Sequence, residues 1–254
     1  MRVVFIGAGN VATHLATELF RNSFDIIQVY SRTMESASAL AQEIQATPIT
    51  DTALIDNSAD LYVFSLKDSV LENIISQIPS NRGLWIHTAG SVPMDIFHEY
   101  TSRYGVLYPF QTFSKGREID WEKVSVFIEA NQSEDIGLLR NIAEKISGKV
   151  AELSSQDRKY VHLTGVFACN FTNHMYALSK RFLNHVNLPF EVSLPLIDET
   201  AAKVHLLSPE EAQTGPAIRY DENIINKHLD LIEDEDIRQI YKLISKNIYK
   251  TNKQ

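Results

Sequence analysis

The chain has 254 residues, 44% of them hydrophobic and 22% charged, with a formal net charge of -8. That is enough chain for two modest domains with buried cores, and an acidic surface repels phosphate backbones, so nucleic acid is not an expected partner. A single cysteine, Cys169, rules out an intrachain disulfide, and with no signal peptide ahead of Gly7 and no apolar run near the roughly 20 residues of a membrane span the expectation is a cytoplasmic protein.

Val3, Val4, Phe5 and Ile6 form a continuous apolar run, the pattern of a parallel strand covered on both faces. Beyond Asn10 the period becomes helical, with Val11, Ala12, Leu15, Ala16 and Leu19 on one face. The segment between them, "GAGNVA", is a G-x-G-x-x-A turn in the strand-to-helix context that such a motif requires. Gly7 permits the tight turn and Gly9 lets a pyrophosphate approach the backbone. Ala12 lets the helix pack closely on the strand, and the N–H groups of Asn10 and Val11 face the phosphates. A dinucleotide is therefore the expected cofactor.

Asp25 to Tyr30 is the next apolar strand, followed by Ser31 and Arg32. An NAD site places an acidic residue near this point to bind the ribose hydroxyls. Here a guanidinium stands where a 2′-phosphate would sit, which favours NADP. Strand and helix patterns continue to alternate: strands over 59–66, 83–90, 104–113, 124–130 and 149–153, helices over 69–78 and 134–147. This alternation predicts an α/β fold with a doubly wound parallel sheet. Ligands in such sheets bind beyond the carboxyl ends of the strands, which adds Ser65, Leu66 and Thr88 to the cofactor site and brings His87 close to it.

After Leu153 the pattern is helical to the end, so a dinucleotide-binding domain of residues 1–153 and an all-α domain of residues 154–254 are expected, with the substrate in the cleft between them. Residues 154–185 read as one long helix or a broken pair, and Lys159, His162, Cys169, Asn170 and Asn173 project within an arc of roughly 100° on it. Ser208, Pro209 and Glu211 carry a capping-box signature. "TGPAIRYD" (214–221) is expected to be a loop, with Asp221 capping the next helix. No histidine pair has metal-ligand spacing, so no metal is expected.

A G-x-G-x-x-A domain with Ser31-Arg32 followed by an all-helical domain resembles the Rossmann superfamily of coenzyme F420-dependent NADP oxidoreductases, pyrroline-5-carboxylate reductases and 6-phosphogluconate dehydrogenases. Within it, "HTAGS" (87–91), "YPFQTF" (108–113), "YVHLTGVFACNF" (160–171) and "TGPAIRYD" (214–221) resemble the Rossmann-like proteins with a DUF2520 C-terminal domain. The resemblance covers nearly the whole chain. It implies an NADP-dependent oxidoreductase that pairs into a homodimer through its helical domain. The dehydrogenase pattern K-x-x-H-N is met at Lys159 and His162, but Leu163 replaces the asparagine. Tyr108 stands where the DUF2520 pattern commonly has histidine.

The resulting expectation is hydride transfer between NADP(H) and a small imine or carbonyl compound. His162 is the expected proton donor, because an imidazole titrates near neutrality. Lys159 is a second acid/base position, Asn170 and Thr214 would position the substrate, and Arg219 would hold a carboxylate or phosphate. The alternative is a non-catalytic NADP(H)-binding redox sensor or scaffold dimer.

Overall fold

The computed structural model describes residues 1–253. Eight strands form one sheet: β1 (Arg2–Ile6), β2 (Asp25–Tyr30), β3 (Thr47–Ile49), β4 (Leu61–Phe64), β5 (Leu84–His87), β6 (Tyr104–Phe110), β7 (Ser125–Ala130) and β8 (Lys149–Glu152). Their order is β3-β2-β1-β4-β5-β6-β7-β8. All neighbours are parallel except β6 and β7, which run antiparallel, so the sheet is mostly and not wholly parallel. The connection from β6 to β7 carries only a short helical turn at Trp121–Lys123, with no crossover helix to carry the chain back across the sheet. The three-residue β3 lies outside the strand patterns of the sequence, being too short to show a period of its own.

The continuous apolar strands have the predicted cause. In β1, Val3 and Phe5 enter one core while Val4 and Ile6 enter the other. Helices α1 (Asn10–Arg21), α2 (Met34–Glu43) and α4 (Ser133–Glu144) cover the first face through Leu15, Leu19, Leu40, Leu139 and Ile142. Helix α3 (Asp68–Ile75) and the turn Met94–Phe97 cover the second, where Tyr62, Phe64, Trp85 and Phe97 pack as an aromatic cluster. Burying the side chains on both faces is what makes the central strands β1, β4 and β5 almost continuously apolar.

The remaining helices are α5 (Ser155–Gly165), α6 (Thr172–His185), α7 (Leu194–Lys203), α8 (Pro209–Ala212), α9 (Pro216–Arg219), α10 (Glu222–Leu231) and α11 (Glu235–Thr251). Between α5 and α6 the chain makes a π-helical turn over Val166–Phe171. The chain divides into two compact units, Met1–Asn173 and His174–Gln254. Helical structure begins after β8 as the period implies, but the unit boundary falls some way beyond Leu153, because α5 belongs with the sheet.

A buried ion cluster explains this. Arg158 is fully buried and donates to Glu129 of β7 at 2.6 Å and to the Val92 carbonyl at 2.5 Å. Ser155 adds its N–H and hydroxyl to the same carboxylate at 2.8 and 2.6 Å. Charge-assisted bonds at this depth hold α5 in one orientation on the sheet.

In the second unit the Ser208 capping box and the Asp221 cap are both present. The expected loop at 214–221 instead contains the short helix α9. Pro216 supplies a first-turn residue that needs no N–H partner, and Tyr220 ends the turn in a left-handed conformation. Arg238 closes the end of α10 by donating to the Leu229 carbonyl at 2.6 Å. Among the described residues no helix is long and apolar enough to cross a membrane.

Candidate functional site

Strand order reverses at β1, which has β2 on one side and β4 on the other. The crevice beyond the carboxyl ends of β1 and β4 is the switch point where dinucleotides bind in doubly wound sheets. Gly7 sits there with φ +118°, and a Cβ on it would lie 2.2 Å from the Ser65 carbonyl oxygen, so no other residue fits without moving the backbone. Leu66 closes the turn from the same side.

Helix α1 opens directly into this crevice. Gly9 is its N-cap and offers no side-chain cap. The first intrahelical bond joins Thr13 N–H to Gly9 O at 2.9 Å, which leaves the N–H groups of Asn10, Val11 and Ala12 pointing out of the helix end. Nothing lies within 4 Å of the place a Gly9 Cβ would occupy. Outward amides, the positive end of the helix dipole and open space above Gly9 fit a pyrophosphate. Ser31 is half-buried and Arg32 exposed at the end of β2, beside Thr33, which caps α2. Ser65 and Thr88 are both buried, and the Thr88 hydroxyl donates to that of Ser65 at 3.1 Å across the ends of β4 and β5. All ten residues expected at the cofactor site thus stand at the ends of β1, β2, β4 and β5 or in the first turn of α1.

His87 is a packing residue. Its ring is completely buried, accepts the Ala89 N–H at Nδ1 and donates from Nε2 to the Pro93 carbonyl. Burial, aided by the charge of Arg158, pushes its pKa down to about 3, so the imidazole stays neutral.

His162 has a different environment. It lies on α5 one turn after Arg158, on the same face, so the buried guanidinium sets its position. Its Nδ1 is 3.1 Å from the Tyr108 hydroxyl of β6. The ring lies directly over Gly90, where a Cβ would come within 2.4 Å of Nδ1 and 2.9 Å of the Tyr108 ring. Burial raises the Tyr108 pKa to about 12, so the phenol keeps its proton. The two side chains open on a cleft of about 310 Å³ whose walls include Phe110, Gln111, Thr112, Cys169 and Asn170.

Of the polar positions projected on one helix face, His162, Cys169 and Asn170 line this cleft, whereas Lys159 and Asn173 do not. For Asn173 the π-helical turn is the reason. It adds a residue to one turn, so the angular phase calculated for a regular α-helix no longer holds beyond Val166. Lys159 is solvent-exposed. Thr214 and Arg219 are exposed residues of the second unit, around α9. Three features escaped the sequence reading: the Tyr108–His162 contact, the need for glycine at position 90, and the Arg158 anchor. Only Gly90 left a visible signal, inside "HTAGS". Among the described residues no group of three or more His, Cys, Asp or Glu is placed to hold a metal ion.

Fold and site together define a nicotinamide dinucleotide-binding protein of the Rossmann class with a helical second part. Residues 2–88 match the family described as NADP oxidoreductase, coenzyme F420-dependent, and residues 124–248 match the domain of unknown function DUF2520. A Bacteroides fragilis protein provisionally designated an NADP oxidoreductase is 50% identical, with 98% of each chain covered and a TM-score of 0.92. The chain belongs to this family of NADP oxidoreductases with a DUF2520 domain. The same fold is found in pyrroline carboxylate reductase of Plasmodium falciparum with NADP bound (12% identity, 98% of each chain, TM-score 0.61). It is found also in an imine reductase of Myxococcus stipitatus in complex with NADP+ (14% identity, 100% of this chain and 93% of the other, TM-score 0.63). No curated protein matches the chain.

Proposed function

We propose that this protein is an NADP-dependent oxidoreductase that transfers hydride between NADP(H) and a small imine or carbonyl compound. The observation that carries the reading is the seating of His162 over Gly90, with Nδ1 held by Tyr108, at the carboxyl ends of the strands where a nicotinamide cofactor binds. When bound, the nicotinamide supplies or accepts the hydride. The protein's own part is acid–base and positional. With Nδ1 occupied by the Tyr108 hydroxyl, Nε2 of His162 is the nitrogen that exchanges a proton with the substrate. Asn170 lies on the same wall and orients the substrate through its amide. Thr214 and Arg219 of the helical unit are proposed as substrate-binding residues, Arg219 through a guanidinium that can hold an anionic group. Lys159, exposed and off the cleft wall, is the weaker acid/base position. The imine reductase and the pyrroline carboxylate reductase that share the fold, both with NADP bound, support the choice of substrate class and cofactor. The acidic chain with its lone cysteine suits a cytoplasmic setting.

The cofactor assignment is tested by titrating the protein with NADPH and NADH in a calorimeter. A preference for NADPH of about tenfold or more, roughly 1.4 kcal/mol, is expected. Arg32→Ala should remove that preference by weakening NADPH alone, since a charge-assisted bond to phosphate is worth roughly 1.5–3 kcal/mol. Equal binding of both nucleotides by the native protein would take Arg32 out of the site.

The helical unit is proposed to pair with a second copy. Met175, Leu178, Phe182, Leu196, Ile240 and Ile244 line an open apolar groove of about 850 Å³. Leu196 is 70% exposed, as few large apolar side chains are on a surface that stays free. Sedimentation equilibrium should give twice the mass of one chain, and Ile244→Glu should give the single mass. A native protein that sediments as one chain would remove the homodimer.

A further inference from the structure

Tyr108 is the first residue of the segment "YPFQTF". The other positions have a structural logic of their own. After Phe110 the chain leaves β6 and runs over residues 111–118 as a strap against the first turns of α1. Phe110 packs on α5, where a Gly165 Cβ would come within 2.9 Å of its ring. Phe113 lands on α1: its carbonyl accepts the side-chain amide N–H of Asn10 at 2.9 Å, and its ring lies 5.4 Å from that of His14. The next carbonyl, that of Ser114, accepts from His14 Nε2 at 3.0 Å. So the strap is bonded at two points to the first turns of the helix whose N–H groups face the crevice.

Between these anchors are Gln111 and Thr112, which are exposed and line the same cleft as His162. The Gln111 side-chain oxygen accepts the Thr112 N–H at 2.8 Å, which turns the amide nitrogen, a donor, outward. Asn10 therefore does two things. Its backbone N–H belongs to the pyrophosphate cradle, and its side chain fixes the segment that connects that cradle to the substrate cleft.

We infer that Gln111–Ser114 is a second wall of the dinucleotide site, in which the Gln111 amide and the Thr112 hydroxyl hydrogen-bond the diphosphate and ribose of the bound dinucleotide. This rests on the dinucleotide reading of the proposed function and extends it to residues outside the glycine turn.

The strap carries its own reporter, because Lys115 and Arg117 are exposed trypsin sites three and five residues beyond Thr112. The full chain is digested with and without saturating NADPH, and the fragments are identified by mass. NADPH should slow cleavage at these two sites about tenfold, because a ligand held by the strap depletes its open form. Calorimetry on Gln111→Ala and Thr112→Val should show NADPH bound about fivefold more weakly for each, the effect of one hydrogen bond. Asn10→Ala should leave both sites open to trypsin even with NADPH present. If NADPH binds with native affinity to the Gln111 and Thr112 variants and gives no protection at Lys115 and Arg117, the inference is overturned while the proposed function stands. If NADPH does not bind the native protein at all, the dinucleotide reading fails and the strap fails with it.

Discussion

Replacing His162 with alanine is expected to lower turnover by about 10²–10⁴-fold, the range that a positioned proton donor contributes, with NADPH affinity unchanged. The ring stands in the cleft wall and not in the glycine turn. Loss of the imidazole therefore removes proton exchange at Nε2 and leaves the phosphate cradle intact. Tyr108→Phe separates position from chemistry. The phenylalanine keeps the stacked contact with Phe127 and loses only the hydroxyl that holds Nδ1. Turnover should fall by about tenfold, the rate equivalent of one hydrogen bond of roughly 1.4 kcal/mol. Steady-state kinetics on any imine or carbonyl substrate that the native protein turns over, paired with NADPH calorimetry, reads both effects. Unchanged turnover in His162→Ala would remove the histidine from the reaction. Tight NADPH binding without turnover of any such compound by the native protein would favour the sensor or scaffold alternative.

Arg158→Ala should cost about 3–5 kcal/mol of unfolding free energy, the loss seen when one partner of a buried pair is removed. The guanidinium is fully buried and bonded to Glu129, Ser155 and the Val92 carbonyl, so truncation leaves a nearly buried carboxylate facing a void. Both tryptophans, Trp85 and Trp121, lie in the sheet unit. Urea unfolding followed by their fluorescence therefore reports this unit directly. Replacing Glu129 as well, in Arg158→Met/Glu129→Leu, should recover part of the loss by removing the stranded charge. It will not recover all of it, because the Ser155 N–H then has no acceptor. A loss below about 1 kcal/mol for Arg158→Ala would place the cluster among ordinary surface pairs and remove it as the anchor of α5.

The anchor also shows why part of the site could be read from sequence and part could not. The dinucleotide crevice is built from consecutive residues. Gly7, Gly9 and Ala12 act through their own backbone and their nearest neighbours, and Arg32 follows the strand that precedes it, so position along the chain is close to position in space. The ends of β4 and β5 could be placed because any apolar strand of a parallel sheet delivers its last residues to the same edge. The cleft beside His162 obeys no such rule. Tyr108 and His162 are 54 residues apart, and Gly90 is needed only because those two rings meet above it. An arginine in the first turns of a helix usually faces water, and nothing local to Arg158 announces that it turns inward to Glu129.

Periodicity failed for Asn173 where a local irregularity intervened, whereas Lys159, ahead of it on regular α5, faces solvent. The arc projected for Lys159 through Asn173 assumed 3.6 residues per turn, and the π-helical turn at Val166–Phe171 breaks that count. The boundary after Leu153 tracked the change from strand to helix, which is a property of hydrogen-bonding pattern. The compact unit ends at Asn173 because its limit is set by which side chains α5 buries.

The chain's own residues determined the α/β class, the glycine turn, the guanidinium beside it and the helical second part, since each follows from short-range periodicity, turn geometry and charge. Tertiary structure alone decided that β7 runs backwards, that Arg158 is internal, that Tyr108 holds His162, and that the Asn10 side chain bonds the Phe113 carbonyl. Each of these is a contact between residues distant in sequence, and its energy depends on burial and distance that no local pattern encodes.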